Sequence, residues 1–522
     1  MFLAALDNMG FVANLVSLVL YFSFKMHFDL SSAANTLTNL MGSAFLLSFV
    51  GGLISDTYIN RFKTCLIFGC LEVLALSMMT IQAHDDNLLP KPCGKSSCIR
   101  GGIAVYFYTS LCFLALGIGG VKGSLPALGA DQFDAKNPKE AKGLASYFNW
   151  LLLSSVVGSS IGVTVIVWFA TNKNNENWWK DFLLVPLVHQ SDLSFLRWEN
   201  RSIAYKSHEK ALLWLDKAAI PPRNVVPSPW KVCTLTQVEE VKILTRMLPI
   251  IASTILLNTC MAQLQTFSVQ QGYRMDPHLG SFQVPAASIP IIPLLFMIIL
   301  IPIYDRLFVP FIRNFTKHPS GITQLQRIGV GLVLSALSMA VAGVIEVKRR
   351  NHSLKNPLKP ISLFWLAFQY GIFGIADMFT LVGSLEFFYK EAPAGMRSLS
   401  TSFTYISQSF GYFLSSVFVS TINSVTKRIS PSKQGWLYGQ DLDRNNLNLF
   451  FWFLAILSGL NFLCFLYFAT WYEYKNDDNV VVDKNAVPTS QSINPLFKAA
   501  SQEDLSKAVN GGSAVELTNG KV

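Results

Sequence analysis

Lys122 stands at the apolar end of the run Ile103–Val121. It lies within Gly117-Ile118-Gly119-Gly120-Val121-Lys122-Gly123-Ser124-Leu125-Pro126-Ala127-Leu128-Gly129-Ala130-Asp131-Gln132-Phe133-Asp134. An ammonium at membrane depth costs about 2.5–3.5 kcal/mol on insertion scales, so such charges are rare and mark ion or substrate pathways. Asp377 raises the same question inside Ile361–Tyr389, as does Glu72 inside Thr64–Gln82. Glu386, in Leu385-Glu386-Phe387-Phe388-Tyr389, is nearer the end of its run. Groups of this kind bind an oppositely charged ligand or hold and pass a proton. Each also has a structural reading. Lys122 snorkels from a helix end, Asp377 pairs with a neighbouring helix, Glu386 is interfacial, and Glu72 is a buried, paired structural acid. Asn258, Gln263 and Gln265 are polar groups in another apolar run; they either hydrogen-bond a polar ligand or join helix to helix.

The segments that must position these side chains are membrane spans. The chain has 522 residues, 51% hydrophobic and 14% charged, with 39 phenylalanines and 23 prolines. The formal charge of +10 collects in short loops between apolar runs, which orients a membrane protein and argues against a nucleic-acid surface. Of eight cysteines, only Cys93 and Cys98 share a polar loop, as a disulfide or a plain pair. There is no Walker-type glycine–lysine–serine loop and no His-Glu-x-x-His. An ATP-driven pump is therefore disfavoured, and neither a metal nor another cofactor is expected. No catalytic constellation points to an enzyme.

About 20 apolar residues span a bilayer. Five candidate spans come first: Leu3–Phe24, Ala34–Ile54, Thr64–Gln82, Ile103–Val121 and Tyr147–Ala170. After a polar middle come six more: Ile243–Phe267, Ala286–Tyr304, Ile328–Glu346, Ile361–Tyr389, Leu399–Asn423 and Leu447–Tyr472. The expected organisation is an N-terminal helical bundle over 1–170, a central polar linker over 171–240, a C-terminal bundle over 241–475 and a disordered cytoplasmic tail over 476–522. The loops Asp56–Lys63, Asp131–Gly143 and Asp305–Arg327 are basic and read as cytoplasmic. That parity requires one more crossing between Thr171 and Glu240, where the best apolar piece, Asp181–Val188, is too short. Against this topology, Lys348, Arg349, Arg350, Lys355 and Lys359 fall on the outer side.

The Gly117–Asp134 block resembles the segment at and after the fourth helix of plant nitrate/peptide family transporters, a branch of the proton-coupled oligopeptide transporters. Phe148-Asn149-Trp150, Thr266-Phe267-Ser268-Val269-Gln270-Gln271, Gly321–Gly329 and Glu386–Arg397 carry the same resemblance. Gly51-Gly52-Leu53-Ile54-Ser55-Asp56, followed by Arg61 and Lys63, is similar to the loop motif of the major facilitator superfamily, and Tyr304-Asp305-Arg306 sits at the matching place in the second half. The resemblance implies an all-α membrane protein of two helical bundles, here with the sixth helix missing or degenerate. It implies a transporter working by alternating access, with gating at Asp56, Arg61, Asp305 and Arg306.

Other roles follow from the same resemblance. Lys122 matches a lysine that pairs with first-helix acids and couples proton to substrate. Asp377, with Ala392-Pro393 at the fifteenth and sixteenth positions after it, matches the tenth-helix acid that binds substrate in peptide transporters. The first helix departs from the family: where Glu-x-x-Glu and a base are usual, this chain has Ala4, Asp7 and Asn8. Asp7 alone remains for proton coupling there, with Lys122 and Glu386. Met261 stands where a plant nitrate carrier has a histidine, which argues against a nitrate site of that type. Substrate contacts are expected from Lys122, Asp377, Gln263 and Asn258. The closest resemblance is to importers of abscisic acid, gibberellins or nitrate. It implies proton-coupled symport of a small organic anion, with proton, substrate and membrane lipid as the partners. The plasma membrane is the expected location, the vacuolar membrane the alternative. The competing reading is a non-transporting regulatory relative, suggested by the absent span and by an N-terminus that reads as a truncated gene model or variant isoform.

Overall fold

The structure, a computed structural model, describes residues 1–28, 30–91, 99–133, 138–166, 235–279, 282–283, 291–316, 321–356, 359–429, 435–437, 443, 445–472 and 474. Each expected span has its described residues largely on a helix. The first half holds α1 (Phe2–Phe24), α2 (Leu30–Thr57), α3 (Arg61–His84), α4 (Gly101–Ala130) and α5 (Pro138–Ile161). The second holds α6 (Leu235–Tyr273), α7 (Ile291–Ile303), α8 (Val309–Thr316), α9 (Gln324–Lys355), α10 (Leu366–Glu391), α11 (Arg397–Ile429) and α12 (Leu447–Trp471). A π turn, Tyr304–Phe308, joins α7 to α8. Nine of the described helices are long and apolar enough to cross a membrane. The expected crossing between Thr171 and Glu240, the Cys93–Cys98 pair and the 476–522 tail lie outside the described residues.

Two boundaries differ from expectation. The apolar run in α4 ends at Val121, but the helix continues through Pro126 to Ala130. Glycine and alanine keep the last turns slim enough to stay buried, and Lys122 lies inside the helix instead of at its end. Likewise α6 begins at Leu235, inside the stretch read as linker, because a polar first turn can stay helical before the apolar face begins. Hydroxyls within the spans bond back to the preceding turn, as Ser77 does to Val73 and Thr80 to Leu76, each at 2.8 Å; these two hydroxyls are then not left bare in hydrocarbon. At the start of α9, Thr323 and Gln326 form a reciprocal capping box, which satisfies free N–H groups of the first turn.

Small residues set the helix crossings. A side chain at Gly119 would meet the backbone of Ala44 and Leu47 on α2, and one at Gly117 would meet Glu72 on α3 at 2.8 Å. Close backbone approach of this kind drives helix association in lipid. One apolar cluster, around Tyr21, Phe22, Phe28 and Phe107, fills the first half. A second crosses between the halves, joining Ala127, Phe148 and Leu151 to Ile301, Tyr304, Met378 and Tyr389.

The outer-side cations are neutralised locally. Arg349, 1% exposed, bonds Glu346 and Asp443 at 2.7 Å, and Arg350 reaches the Asp443 carbonyl and Asn446. Lys348 lies 3.2 Å over the Trp365 ring.

Candidate functional site

Lys122 is 6% exposed and its Nζ lies 3.2 Å from Asp7 Oδ2 on α1. Asn8 Oδ1 stands at 3.4 Å and the Phe11 ring centroid at 4.2 Å. The side chain is therefore held within the bundle and does not snorkel. Glu72 on α3, 4% exposed, lies in the electrostatic field of both Asp7 and Lys122. Expected as a paired acid, it is buried, but its Oε2 has no hydrogen-bond partner among the described residues.

The second half contributes Asp377 on α10. It lines a narrow cleft with Thr254, Asn258, Thr380, Ser384, Thr404 and Gln408. Among the described residues no lysine or arginine pairs with it. Asn258 shares this cleft while donating to Ser407 Oγ at 3.0 Å. Gln263 does not: its amide donates to Ser415 Oγ at 2.6 Å and to the Ser415 carbonyl at 2.9 Å, tying α6 to α11. Of its two expected roles, the structure supports helix-to-helix bonding.

Aromatic rings lie between the two charged centres. Phe11, over which Lys122 sits, is 6.0 Å from Phe45. Phe45 stacks on Tyr405 at 6.1 Å and on Tyr412 at 6.0 Å. Tyr405 faces Asp7 and Tyr412 faces Asp377. Three helices thus build one aromatic surface with an ammonium at one side and an unpaired carboxylate at the other. Such a surface accommodates an apolar body whose polar groups are recognised at its ends.

The loop motifs tie the two halves together at one end of the bundle. Arg61 bonds Asp56 Oδ1 at 2.9 Å and pairs with Asp131. Asp56 Oδ2 accepts from the Leu399 N–H of α11 at 2.8 Å, crossing between the halves. Asp131 accepts from Tyr389 at 2.6 Å and Arg397 at 3.2 Å. In the second motif, Asp305 accepts from Ser146, Asn149 and Trp150 of α5 at 2.6, 2.7 and 2.9 Å. Arg306 lies over the Trp150 ring. Glu386 is fully buried, not interfacial; it bonds Arg327 at 3.1 Å and Lys390 at 2.7 Å, and Arg327 reaches Asn149. It belongs to this tie between the halves and is not drawn into the Asp7–Lys122 group. A cavity of about 270 Å³ beside it is lined by Lys142, Ser146, Asp305, Arg313 and Arg327.

Asp131, Asn149, Arg327, Tyr389 and Arg397 were not read as site residues from sequence. All lie within the recognised blocks, and their spacing alone carries no sign of contacts such as that between Asp131 and Arg397, 266 residues apart.

The family model described as PTR2, the POT family, matches residues 62–189 and 191–437. The chain is 38% identical to Protein NRT1/PTR FAMILY 4.6 of Arabidopsis thaliana, over 90% of this chain and 92% of that protein. It is 39% identical to Protein NRT1/PTR FAMILY 4.5 of the same plant, over 90% and 91%. The crystal structure of an auto-inhibited POT family peptide transporter superposes with a TM-score of 0.65 at 17% identity, covering 91% of this chain and 97% of that one. The helices, the close α4 crossings and these matches lead to one conclusion: the chain belongs to the POT family of multi-pass membrane transporters.

Proposed function

We propose that this protein is a proton-coupled symporter of a small organic anion with an apolar body, such as a plant hormone, and works by alternating access at the plasma membrane. The observation that carries this reading is the aromatic surface held between Lys122 and Asp377. Three N–H bonds leave the Lys122 ammonium. Asp7 and Asn8 engage it from α1, and a remaining donor can meet a substrate carboxylate. The unpaired Asp377 and the Asn258 amide suit a hydroxyl or N–H at the far end of the substrate. With the cytoplasmic end latched by Asp56, Asp131 and Asp305, loading takes place from the outside. Nitrate uses the ammonium but not the aromatic surface, and the Met261 position offers it no donor. It is the weaker candidate.

The test is uptake of labelled abscisic acid, gibberellin and nitrate in oocytes at acidic and neutral external pH. Accumulation of one hormone that collapses with the proton gradient is expected. No uptake of any of them, with the protein at the cell surface, favours the regulatory reading and overturns this one.

A further inference from the structure

The charges around Lys122 do not balance. Asp7 and Glu72 supply two carboxylates and Lys122 one ammonium, all within a few per cent of full burial. Asp7 already holds the ammonium at 3.2 Å. Glu72 has no cation of its own and an oxygen without a partner. An unpaired buried carboxylate costs several kcal/mol or more, and such a group takes up a proton instead. Its surroundings offer no other remedy. α3 packs on α4 and α2. From α4 comes only Lys122, from α1 comes Asp7, and α2 has no titratable residue before Asp56 at its cytoplasmic end. Cys65 on α3 and Tyr405 on α11 face Asp7. Gly117 holds the α4 backbone hard against the backbone and Cβ of Glu72, where any side chain would collide, so Glu72 is seated against α4 five residues before Lys122.

We infer that Glu72 takes up the transported proton, and that an anion occupies the Lys122 site only when Glu72 is protonated. This rests on the symporter reading above and names its coupling acid. The steps balance. With Glu72 ionised and no substrate, the group carries one net negative charge. A proton from the outer side forms an O–H bond on Glu72 and brings the group to neutrality. One anion then joins Lys122, and the net charge returns to minus one. On the inner side the anion leaves, the Glu72 O–H bond breaks, and the proton passes to water. One proton moves per anion charge, the buried charge is the same when the site is empty and when it is loaded, and nothing is oxidised or reduced. Asp7 keeps its ion pair throughout and acts as the positioning residue for the ammonium.

Two measurements test this. The first uses reconstituted wild type, Glu72→Gln, Glu72→Asp and Asp7→Asn with labelled abscisic acid, gibberellin and nitrate as probes. For one proton per substrate, a gradient of one pH unit supports about tenfold accumulation. Glu72→Gln, permanently neutral, is expected to lose that accumulation and its pH dependence while retaining counterflow exchange. Glu72→Asp shifts the pH midpoint of uptake, and Asp7→Asn, which frees the ammonium to pair with Glu72, moves it to lower pH. A Glu72→Gln carrier that accumulates probe with the wild-type pH profile overturns the inference. The second is infrared difference spectroscopy of the purified full chain between acidic and alkaline pH, which needs no transport. With Asp377→Asn as the common background, which removes the other unpaired carboxyl, a protonated-carboxyl band that vanishes on alkalisation is expected in the parent, absent in Glu72→Gln and displaced in Glu72→Asp. Its persistence in Glu72→Gln rules Glu72 out. If Glu72→Gln does not fold, Glu72→Asp decides: an unmoved midpoint and an undisplaced band refute the assignment. Wild type that carries no probe, with the Glu72 band present in the parent, separates failure of the symporter reading from failure of this one.

Discussion

Lys122 in the first half and Asp377 in the second each sit inside a membrane helix, α4 and α10, in different surroundings. One has Asp7 at 3.2 Å with Glu72 beside it; the other has hydroxyls and amides around it and no base among the described residues. In the proposed cycle the first half, carrying its own counter-charges, exchanges a proton without substrate. The second half is left open at its acid, and a ligand has something to complete there. The proposed function thus divides coupling from recognition, and substitutions in the two halves should fail in different ways.

The largest effect is expected from Lys122→Gln. It strands two buried carboxylates, and breaking a buried pair costs about 3–5 kcal/mol. Uptake and counterflow should both vanish, with a lower melting temperature in detergent. Full exchange activity in this variant would erase the contrast between the halves. Asp377→Asn comes next. A hydrogen bond to a charged group is worth about 1.5–3 kcal/mol, so KM should rise roughly ten- to a hundredfold while the pH profile stays as in wild type. Unchanged uptake would remove Asp377 from the site.

The two loop motifs sharpen the same comparison at the cytoplasmic end. Asp305→Ala deprives three donors of α5 of their acceptor, and should open the inner face to a membrane-impermeant thiol reagent at a cysteine introduced at Gly143. Asp56→Asn should do so less, since it weakens a cap-like bond to Leu399 worth about 0.5–2 kcal/mol and one arginine contact. Equal labelling would mean that the two motifs are equivalent. The smallest effect belongs to the outer face. Burial pushes Asp443 up, but hydrogen bonds from Arg349 and Ser353 and the Arg349 charge outweigh it and hold the carboxyl below the usual range. A lowered folded-state value contributes stability that is complete above the unfolded pKa of about 3.9 and is lost as pH falls through the folded value. Melting temperature should therefore drop below about pH 4, and Asp443→Asn should flatten that drop.

The spans were legible because apolar length is a local property, and every run read from the sequence has its described residues largely on a helix. Lys122 and Asp377 stood out by the cost of charge at depth. Their surroundings were not legible. Asp7 meets Lys122 from 115 residues away, and the aromatic surface draws one or two rings from each of α1, α2 and α11. The end of α4 was misplaced because hydropathy falls at Lys122 while the helix runs on for two more turns. The Ser415 partner of Gln263 was not legible either, since an amide in an apolar run looks the same whether it meets a substrate or a neighbouring serine. Glu72 was underread for a related reason: burial was evident from its run, but the balance of charge around it needs three helices in place.

The glycines of α4 have a mechanical consequence. With backbone set directly against α2 at Gly119 and against α3 at Gly117, there is no layer of rotatable side chains to absorb shear. The three helices resist sliding and should tilt as one stiff block. Strain during rocking then passes to the long face where α2 meets α11, and there Gly42 and Gly52 set the clearances against Phe413 and the Ser398 backbone. A methyl group added at Gly42 or Gly52 should act as a brake, slowing turnover more than it changes affinity.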